Sequence, residues 1–419
     1  MKLIYKILIG VGVGVVAIAT AGVATLYGIW GKELNSISSI KEIIPAHPEN
    51  KAGKVYEMTM DGGYYFDEFI EQGGVSNDTD LIQFIVDNIT KGIIPISMEA
   101  PEVGCSSFTT IDENGNHLFG RNYDFASTSS LILHTNPGNG RHASISSVDL
   151  QFLGLGDGIN GLIDNLTAIA AAYAPLDGMN DAGVSCGIYM SYQGPGDLSY
   201  STDQQTEKPD LTSTTMLRMI LDYADDVDEA VNLVKQYDFH DSANSSFHYM
   251  VADKSGKSAI LEWVNEKATD STDIDGTKRV LKVYYNDKDE MLGEDEAQNN
   301  FQYITNFIVT PGYYANETQE DMKGLDRYNY IKETINPDGS NTEGHFSKEQ
   351  SLKLLEDLGR RKWNQTVGSD SNNITVWSVL YDLDNLEATW ISNEEFGEEG
   401  SVFSFSLNKW NLFNFLKIN

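Results

Sequence analysis

Gly104-Cys105-Ser106-Ser107 is followed, past a turn, by Gly120-Arg121-Asn122-Tyr123-Asp124, which brings a thiol, a guanidinium and a carboxylate close together along the chain. A thiol becomes a useful nucleophile only when a base takes its proton. If the chain breaks between Gly104 and Cys105, the new first residue carries a free amine. Its pKa near ~8 suits a general base at neutral pH. Nucleophile and base then belong to Cys105 alone, with Asp124 placed to hold the amine and Arg121 to favour the thiolate. The same residue types also fit an ordinary buried Cys beside a surface Arg-Asp pair.

The elements that must position these groups start with a hairpin. Residues 105–111 and 117–125 read as strands on either side of Glu113-Asn114-Gly115-Asn116, and Asn-Gly between strands is the strongest short hairpin signal. With Asn114 and Gly115 as a two-residue loop, Cys105 faces Asp124 and Arg121 faces Phe108. Arg121 then points away from Cys105, and a bulge near Gly120 is needed to turn it in.

Upstream, residues 55–60 read as a strand with a helix after it. Residues 77–90 read as a second helix, with Ser76, Asn77 and Asp78 as capping residues and Gly92 as a stop. This makes 33–104 a folded pro-region. Downstream, strands are expected at 167–174 and 184–192 around the turn-rich loop 177–183, then helices at 215–223 and 227–237. Strands follow at 247–252, 258–264 and 279–285, helices at 325–334 and 347–358, and a last strand pair at 375–381 and 387–391. The acidic stretch 286–300 reads as a solvated loop. Strand clusters alternating with paired helices imply two packed sheets covered by helices, an α+β body.

Composition narrows the class. The 419 residues are 41% hydrophobic and 11% aromatic, and 62 acidic against 29 basic residues give a formal charge of -33, which repels nucleic acid. Lys2 and Lys6 precede an uncharged run from 7 to 31, about the ~20 residues that cross a bilayer. The lysines place the tail inside and all that follows outside the cell. We read residues 1–32 as a membrane anchor, with a cleavable signal and secretion as the alternative. A Cys105–Cys186 disulfide is disfavoured, because a chain this long needs no staple. None of His117, His134, His142 or His248 stands in a motif for a Cys-His hydrolase, and no His or Cys pair has metal-ligand spacing, so no metal or cofactor is expected.

Taken together, Gly104-Cys105, Leu118-Phe119-Gly120-Arg121-Asn122-Tyr123-Asp124 and Asp177-Gly178-Met179-Asn180-Asp181-Ala182-Gly183 resemble the choloylglycine hydrolase family. That family includes bile salt hydrolases and penicillin V acylases, with acid-ceramidase-like and isopenicillin N acyltransferase-like relatives. The segments Phe247-His248-Tyr249-Met250 to Glu262, Ile304-Thr305-Asn306 and Asp326-Arg327-Tyr328 extend the resemblance over residues 105–391.

It implies the four-layer αββα sandwich of N-terminal-nucleophile (Ntn) hydrolases for residues 105–419. It further implies Cys105 as nucleophile and base, Arg121 and Asp124 orienting it, Asn306 donating to the oxyanion with a backbone N–H near Met190, and Arg327 completing the charge network. Asn180 is read as holding the 177–183 loop. The expected activity is hydrolysis of linear, non-peptide amides after self-cleavage at Gly104-Cys105. The alternatives are acyl transfer from the same acyl-enzyme and a non-enzymatic exported binding protein left uncut. The pro-region is expected to stay as a non-covalent subunit.

Two features depart from the family pattern. Here 104 residues precede the Cys, where bile salt hydrolases remove Met alone, so self-cleavage becomes necessary. In addition, Asn306 is followed by Phe307-Ile308-Val309-Thr310 before Pro311, where the family has Pro close behind Asn.

Overall fold

The computed structural model of the chain describes residues 33–92, 104–196, 198–267, 269, 272–286, 299–369 and 373–408. The expected anchor at 7–31 and most of the acidic loop lie outside these. Among the described residues no helix is long and apolar enough to cross a membrane.

Two sheets form the body. The larger has nine strands, in spatial order Lys41–Ile44, Val55–Asp61, Ser130–Asn136, Ser144–Asp149, Asp177–Asn180, Val184–Met190, Phe247–Asp253, Ser258–Asn265 and Arg279–Tyr285. The smaller has six: Tyr303–Ile304, Gly104–Ile111, His117–Phe125, Ile374–Asp382, Glu387–Ser392 and Val402–Ser406. Their inner faces meet through large side chains. The Trp377 indole, stacked on its cross-strand partner Tyr123 at 4.1 Å between centroids, donates to Asp177 of the larger sheet at 2.9 Å, and the Trp390 indole donates to Ser147 Oγ across the interface at 3.2 Å.

Helices Ser213–Tyr223 and Val227–Val234 cover the outside of the larger sheet, and Leu325–Ile335, Lys348–Leu358 and Arg360–Val367 cover the smaller. The layers therefore run helix, sheet, sheet, helix, as expected. The helix Ser213–Tyr223 buries Met216, Leu217, Met219, Ile220 and Leu221, and each such side chain contributes about 1.5–3 kcal/mol relative to exposure.

The hairpin that starts the smaller sheet departs from the expected register by one residue. Asp112 Oδ1 accepts from the backbone N–H groups of Asn114 and Asn116, and Gly115 takes the left-handed conformation at φ 85°. The loop is consequently the three residues Glu113–Gly115, closed by Asp112 N–H to the Asn116 carbonyl at 2.9 Å. Cys105 pairs with Tyr123, Ser107 with Arg121, and Gly104 with Asp124. Since side chains alternate along a strand, this slip moves Arg121 onto the same face as Cys105, and no bulge near Gly120 is needed.

Three further expectations change. Residues 167–174 are not a strand: helix Leu162–Ala168 runs into a 3-10 turn, Ile169–Tyr173. The five alanines of 167–174 lack the branched side chains that favour a pleated surface, and Ala is the best helix former. The loop expected at 177–183 begins as strand Asp177–Asn180, paired on both sides. Strands Ser130–Asn136 and Ser144–Asp149 were not foreseen, because buried Ser and Thr, such as the bonded pair Thr135 and Ser144 at 2.7 Å, hide the apolar alternation.

Residues 33–92 are built into the body. Strand Val55–Asp61 runs parallel to Ser130–Asn136 with seven paired residues, so this segment supplies one edge of the nine-stranded sheet. The helix Asp78–Asn88, capped by the Asn77 side chain, buries Leu81, Phe84 and Ile85. Phe66 and Phe69 both pack 5.7 Å from Tyr173. Tyr64 donates to the buried carboxylate of Asp222, which also pairs with Arg218 and Arg141.

Candidate active site

Cys105 is fully buried on the second residue of its strand, with its side chain between the sheets. Arg121 Nη2 lies 3.4 Å from its Sγ. The same guanidinium is anchored by Nε to Asp177 Oδ2 at 3.1 Å and lies over the Tyr189 ring at 4.3 Å. Asp177 is itself held by Trp377 Nε1 at 2.9 Å and Tyr381 Oη at 2.7 Å. The cation therefore has one fixed carboxylate and presents another nitrogen to the sulfur. Burial pushes the Cys105 thiol up to about 11, with Arg121 opposing the rise and Asp124 adding to it. Burial also works against the Arg121 charge, but Cys105, Tyr189 and Asp177 outweigh it and raise its pKa.

The second half of the site lies around the Gly104–Cys105 bond. Asn306 Oδ1 accepts from the Cys105 backbone N–H at 2.9 Å and from Arg327 Nη2 at 3.2 Å, while its Nδ2 donates to the Met190 carbonyl at 3.1 Å. One of the two Nδ2 hydrogens suffices for that bond, leaving the second as a donor. Arg327, from the first turn of helix Leu325–Ile335, also reaches the Cys105 carbonyl at 3.3 Å and forms an ion pair through Nη1 with Asp124. Thr375 Oγ1 donates to the other Asp124 oxygen at 2.6 Å. A Cβ on Gly104 would meet Asp124 Oδ2 at 3.1 Å and Arg327 Nη2 at 3.5 Å, so this close approach favours glycine before the Cys.

Cys105, Arg121, Asp124, Asn306 and Arg327 thus converge on one peptide bond. They sit on two faces of the strand: Arg121 beside the sulfur, Asp124 and Arg327 beside Gly104. Met190 reaches the group through its carbonyl, which accepts from Asn306. Asn180 is elsewhere. Its Oδ1 accepts from the backbone N–H groups of Ala182 and Val184, and its Nδ2 donates to the Ala224 carbonyl, which pins the turn to the neighbouring helix.

Asp177, Tyr189 and Thr375 take part in the site without being singled out in the sequence. Asp177 stood inside a quoted motif, but nothing in a turn-rich heptapeptide shows that its carboxylate crosses to the other sheet. Cys186 is free and buried in the larger sheet, as Cys105 is in the smaller. Away from the site, Asp210, Asp238 and His240 bring ligand atoms within 4.8 Å of one another. His240 is already held there between Asp203 and Asp210, at 2.9 and 2.8 Å.

A thiol at the head of a central strand, with an arginine on the sulfur and an asparagine on its backbone nitrogen, defines a two-sheet αββα protein built around a Gly-Cys bond. Residues 105–286 match the model of the linear amide C-N hydrolases, choloylglycine hydrolase family. A curated relative, the bile salt hydrolase/transferase of Clostridium perfringens (strain 13 / Type A), is 26% identical over 172 residues, 39% of this chain. The match spans 49% of that relative's length. Among solved structures, a variant of conjugated bile acid hydrolase from Clostridium perfringens is similar at TM-score 0.46 and 16% identity, covering 73% of this chain and 93% of that one. Penicillin V acylase from Agrobacterium tumefaciens is similar at TM-score 0.39 and 16% identity, covering 73% and 87%. The layer order rests on this chain's own contacts rather than on these likenesses.

Proposed function

We propose that this protein is an N-terminal-cysteine amidase that cuts itself between Gly104 and Cys105 and then hydrolyses linear amides. The observation that carries this is the convergence of five polar side chains, all at most 2% exposed, on the Gly104–Cys105 bond. Burying two arginines and a carboxylate around a thiol costs stability, and such clusters occur where chemistry needs them.

In the first stage the Cys105 sulfur attacks the Gly104 carbonyl carbon. The C–N bond breaks, the leaving nitrogen takes the thiol's proton, and a thioester forms. Water splits that ester, giving a Gly104 carboxylate and a free thiol and amine on Cys105. In turnover the Cys105 amine takes the thiol's proton with Arg121 favouring the thiolate, the sulfur attacks the substrate's amide carbonyl, the C–N bond breaks as the leaving amine takes that proton, and water then splits the thioester to release the acid and restore the thiol. The spare N–H of Asn306, with a backbone N–H near Met190, stabilises the oxyanion. Asp124, fixed by Arg327 and Thr375, holds the amine. Bile-salt-like and other N-acyl amides are the substrate class that the relatives suggest, and an amine taking the acyl group in place of water would make the same site a transferase.

Residues 33–104 remain as a non-covalent subunit in this reading, since strand Val55–Asp61 and the Tyr64–Asp222 contact are independent of the severed bond. An anchor at residues 7–31 would then hold the catalytic part at the outer membrane face. Mass spectrometry of the cut protein, quenched in acid during turnover of a decanoyl amide, should find the decanoyl group on Cys105. An acyl-free protein during steady turnover would refute covalent catalysis.

A further inference from the structure

A cavity of about 580 Å³ opens on the Gly104 side of the reacting bond, lined by Gly104, Tyr192, Asn306, Arg327, Arg360 and Trp363 among others. Gly104 pairs across strands with Asp124, and Asp124 pairs with Thr375, whose Oγ1 accepts from the Arg360 backbone N–H at 2.8 Å. Two strand spacings, roughly 10 Å, separate the Gly104 and Thr375 backbones. An extended arginine side chain beside Thr375 crosses most of that gap.

Arg360 is the cation in this cavity that has no counter-charge. Its Nε is buried without a hydrogen-bond partner, and among the described residues no carboxylate forms an ion pair with it. Burial and the neighbouring Arg327 cation hold its pKa below the usual guanidinium value, with Asp124 and Asp326 opposing. The carboxylates around it are already engaged. Asp124 takes Arg327 and Thr375, Asp326 takes the Trp363 indole at 2.9 Å and the Arg327 backbone N–H at 2.8 Å, and Glu394 takes the backbone N–H groups of Arg361 and Thr375. A partly buried guanidinium left in this state fits an anion that arrives later.

Self-cleavage makes such an anion in place, because it leaves Gly104 as a carboxylate on the wall of this cavity. That group forms beside Asp124 Oδ2 and Arg327 Nη2, which a Cβ on Gly104 would meet at 3.1 and 3.5 Å. Arg327 is already paired with Asp124, so a second carboxylate there calls for a second cation. With Arg360 included, two guanidiniums face two carboxylates.

We propose that Arg360, together with Arg327, is a carboxylate-binding site whose resident ligand is the chain's own Gly104 carboxylate, held after the cut as a tethered inhibitor. The sulfur that attacks the Gly104 carbonyl attacks the substrate's carbonyl from the same position, so a carboxylate kept at that place excludes substrate. Residues 33–92 stay seated in the larger sheet and present the chain end at high effective concentration. Substrate must displace it before the acyl-enzyme can form.

The proposal rests on the self-cleaving amidase reading, and the test separates the two. The cut wild-type protein and its Arg360→Met variant are assayed on decanoyl amide, which has no charge, and on N-decanoylglycine, which carries its own carboxylate. A chain beginning at Cys105 and turnover of decanoyl amide by the wild type report on the amidase reading. The change in KM on substitution reports on Arg360. Loss of the tethered competitor should lower KM for both substrates by roughly 10–100-fold, the worth of one charge-assisted hydrogen-bonded pair. Arg360→Lys, which keeps a charge but not the fork, should fall between.

An unchanged KM for decanoyl amide overturns the proposal. A KM that rises for N-decanoylglycine alone shows that Arg360 reads a carboxylate of the substrate instead, and overturns it as well. A merely structural Arg360 would raise KM or lower kcat on substitution and would not lower KM. Where Arg360→Met fails to mature, a crystal structure of the cut wild-type protein decides. A Gly104 carboxylate oxygen within about 3.2 Å of the Arg360 guanidinium is expected, and a carboxylate lying elsewhere overturns the proposal.

Discussion

Arg121→Met removes the cation from Cys105 while keeping a side chain of similar length. With Nη2 at 3.4 Å from the sulfur, the attraction it gives a thiolate is about 5 kcal/mol at an effective dielectric constant of ~20. At 1.36 kcal/mol per pKa unit that corresponds to a thiolate population lower by on the order of 10³. The thiol already sits near 11 in the uncut chain, so its pKa moves further up and out of reach of moderate alkali. Self-cleavage at neutral pH should slow by the same factor. Asp177 keeps its bonds from Trp377 and Tyr381, so the variant should fold, at a stability cost of about 3–5 kcal/mol for the broken buried pair. Arg121→Lys keeps the charge but cannot serve Asp177 and Cys105 together, and should fall between. The assay follows the appearance of a chain beginning at Cys105 by intact mass against time, with thermal unfolding as the check on folding. If folded Arg121→Met is cut at the wild-type rate, the guanidinium does not activate the thiol and the reasoning fails.

Cys105→Ala should leave a folded, uncut chain and Cys105→Ser a slowly cut or inactive one; normal maturation of the alanine variant would show that another group makes the cut. Asn306→Ala should lower turnover by roughly 10²–10³ after maturation, the usual cost of one oxyanion donor, and an unchanged kcat would move that role elsewhere. The pH dependence should differ between the two stages. In the uncut chain the raised thiol is protonated below about 11, so cleavage should accelerate about tenfold per pH unit between roughly 7 and 10. Turnover by the matured enzyme should instead rise through the amine's pKa near ~8 and then level, and identical profiles would contradict a change of base.

The helices at 78–88, 213–223, 227–234, 325–335 and 348–358 were legible because their burial is periodic, whereas helix Arg360–Val367 and the short edge strands Lys41–Ile44 and Val402–Ser406 were not. Asn77 caps Asp78–Asn88 and Ser347 caps Lys348–Leu358, and both starts could be read from residue types alone. The hairpin was legible as a hairpin but not in register. Asn114-Gly115 suits a two-residue turn, yet the Asp112 carboxylate captures the N–H groups of Asn114 and Asn116 and sets a three-residue one. That single residue decides which face Arg121 takes. The Arg121–Asp177 pair was not legible, because it joins two sheets 56 positions apart in sequence and each residue on its own resembles turn or surface chemistry. Residues 33–92 could be read as folded, but not as an edge of the central sheet: parallel pairing of Val55–Asp61 with Ser130–Asn136 leaves no local pattern in either strand.

The central claim is tested most directly by intact mass and N-terminal sequencing of the full chain after expression and purification without protease. The account predicts a fragment whose first residue is Cys105, with the segment ending at Gly104 co-purifying until denaturant is added. A single uncut chain of 419 residues, or a new N-terminus anywhere other than Cys105, would contradict it.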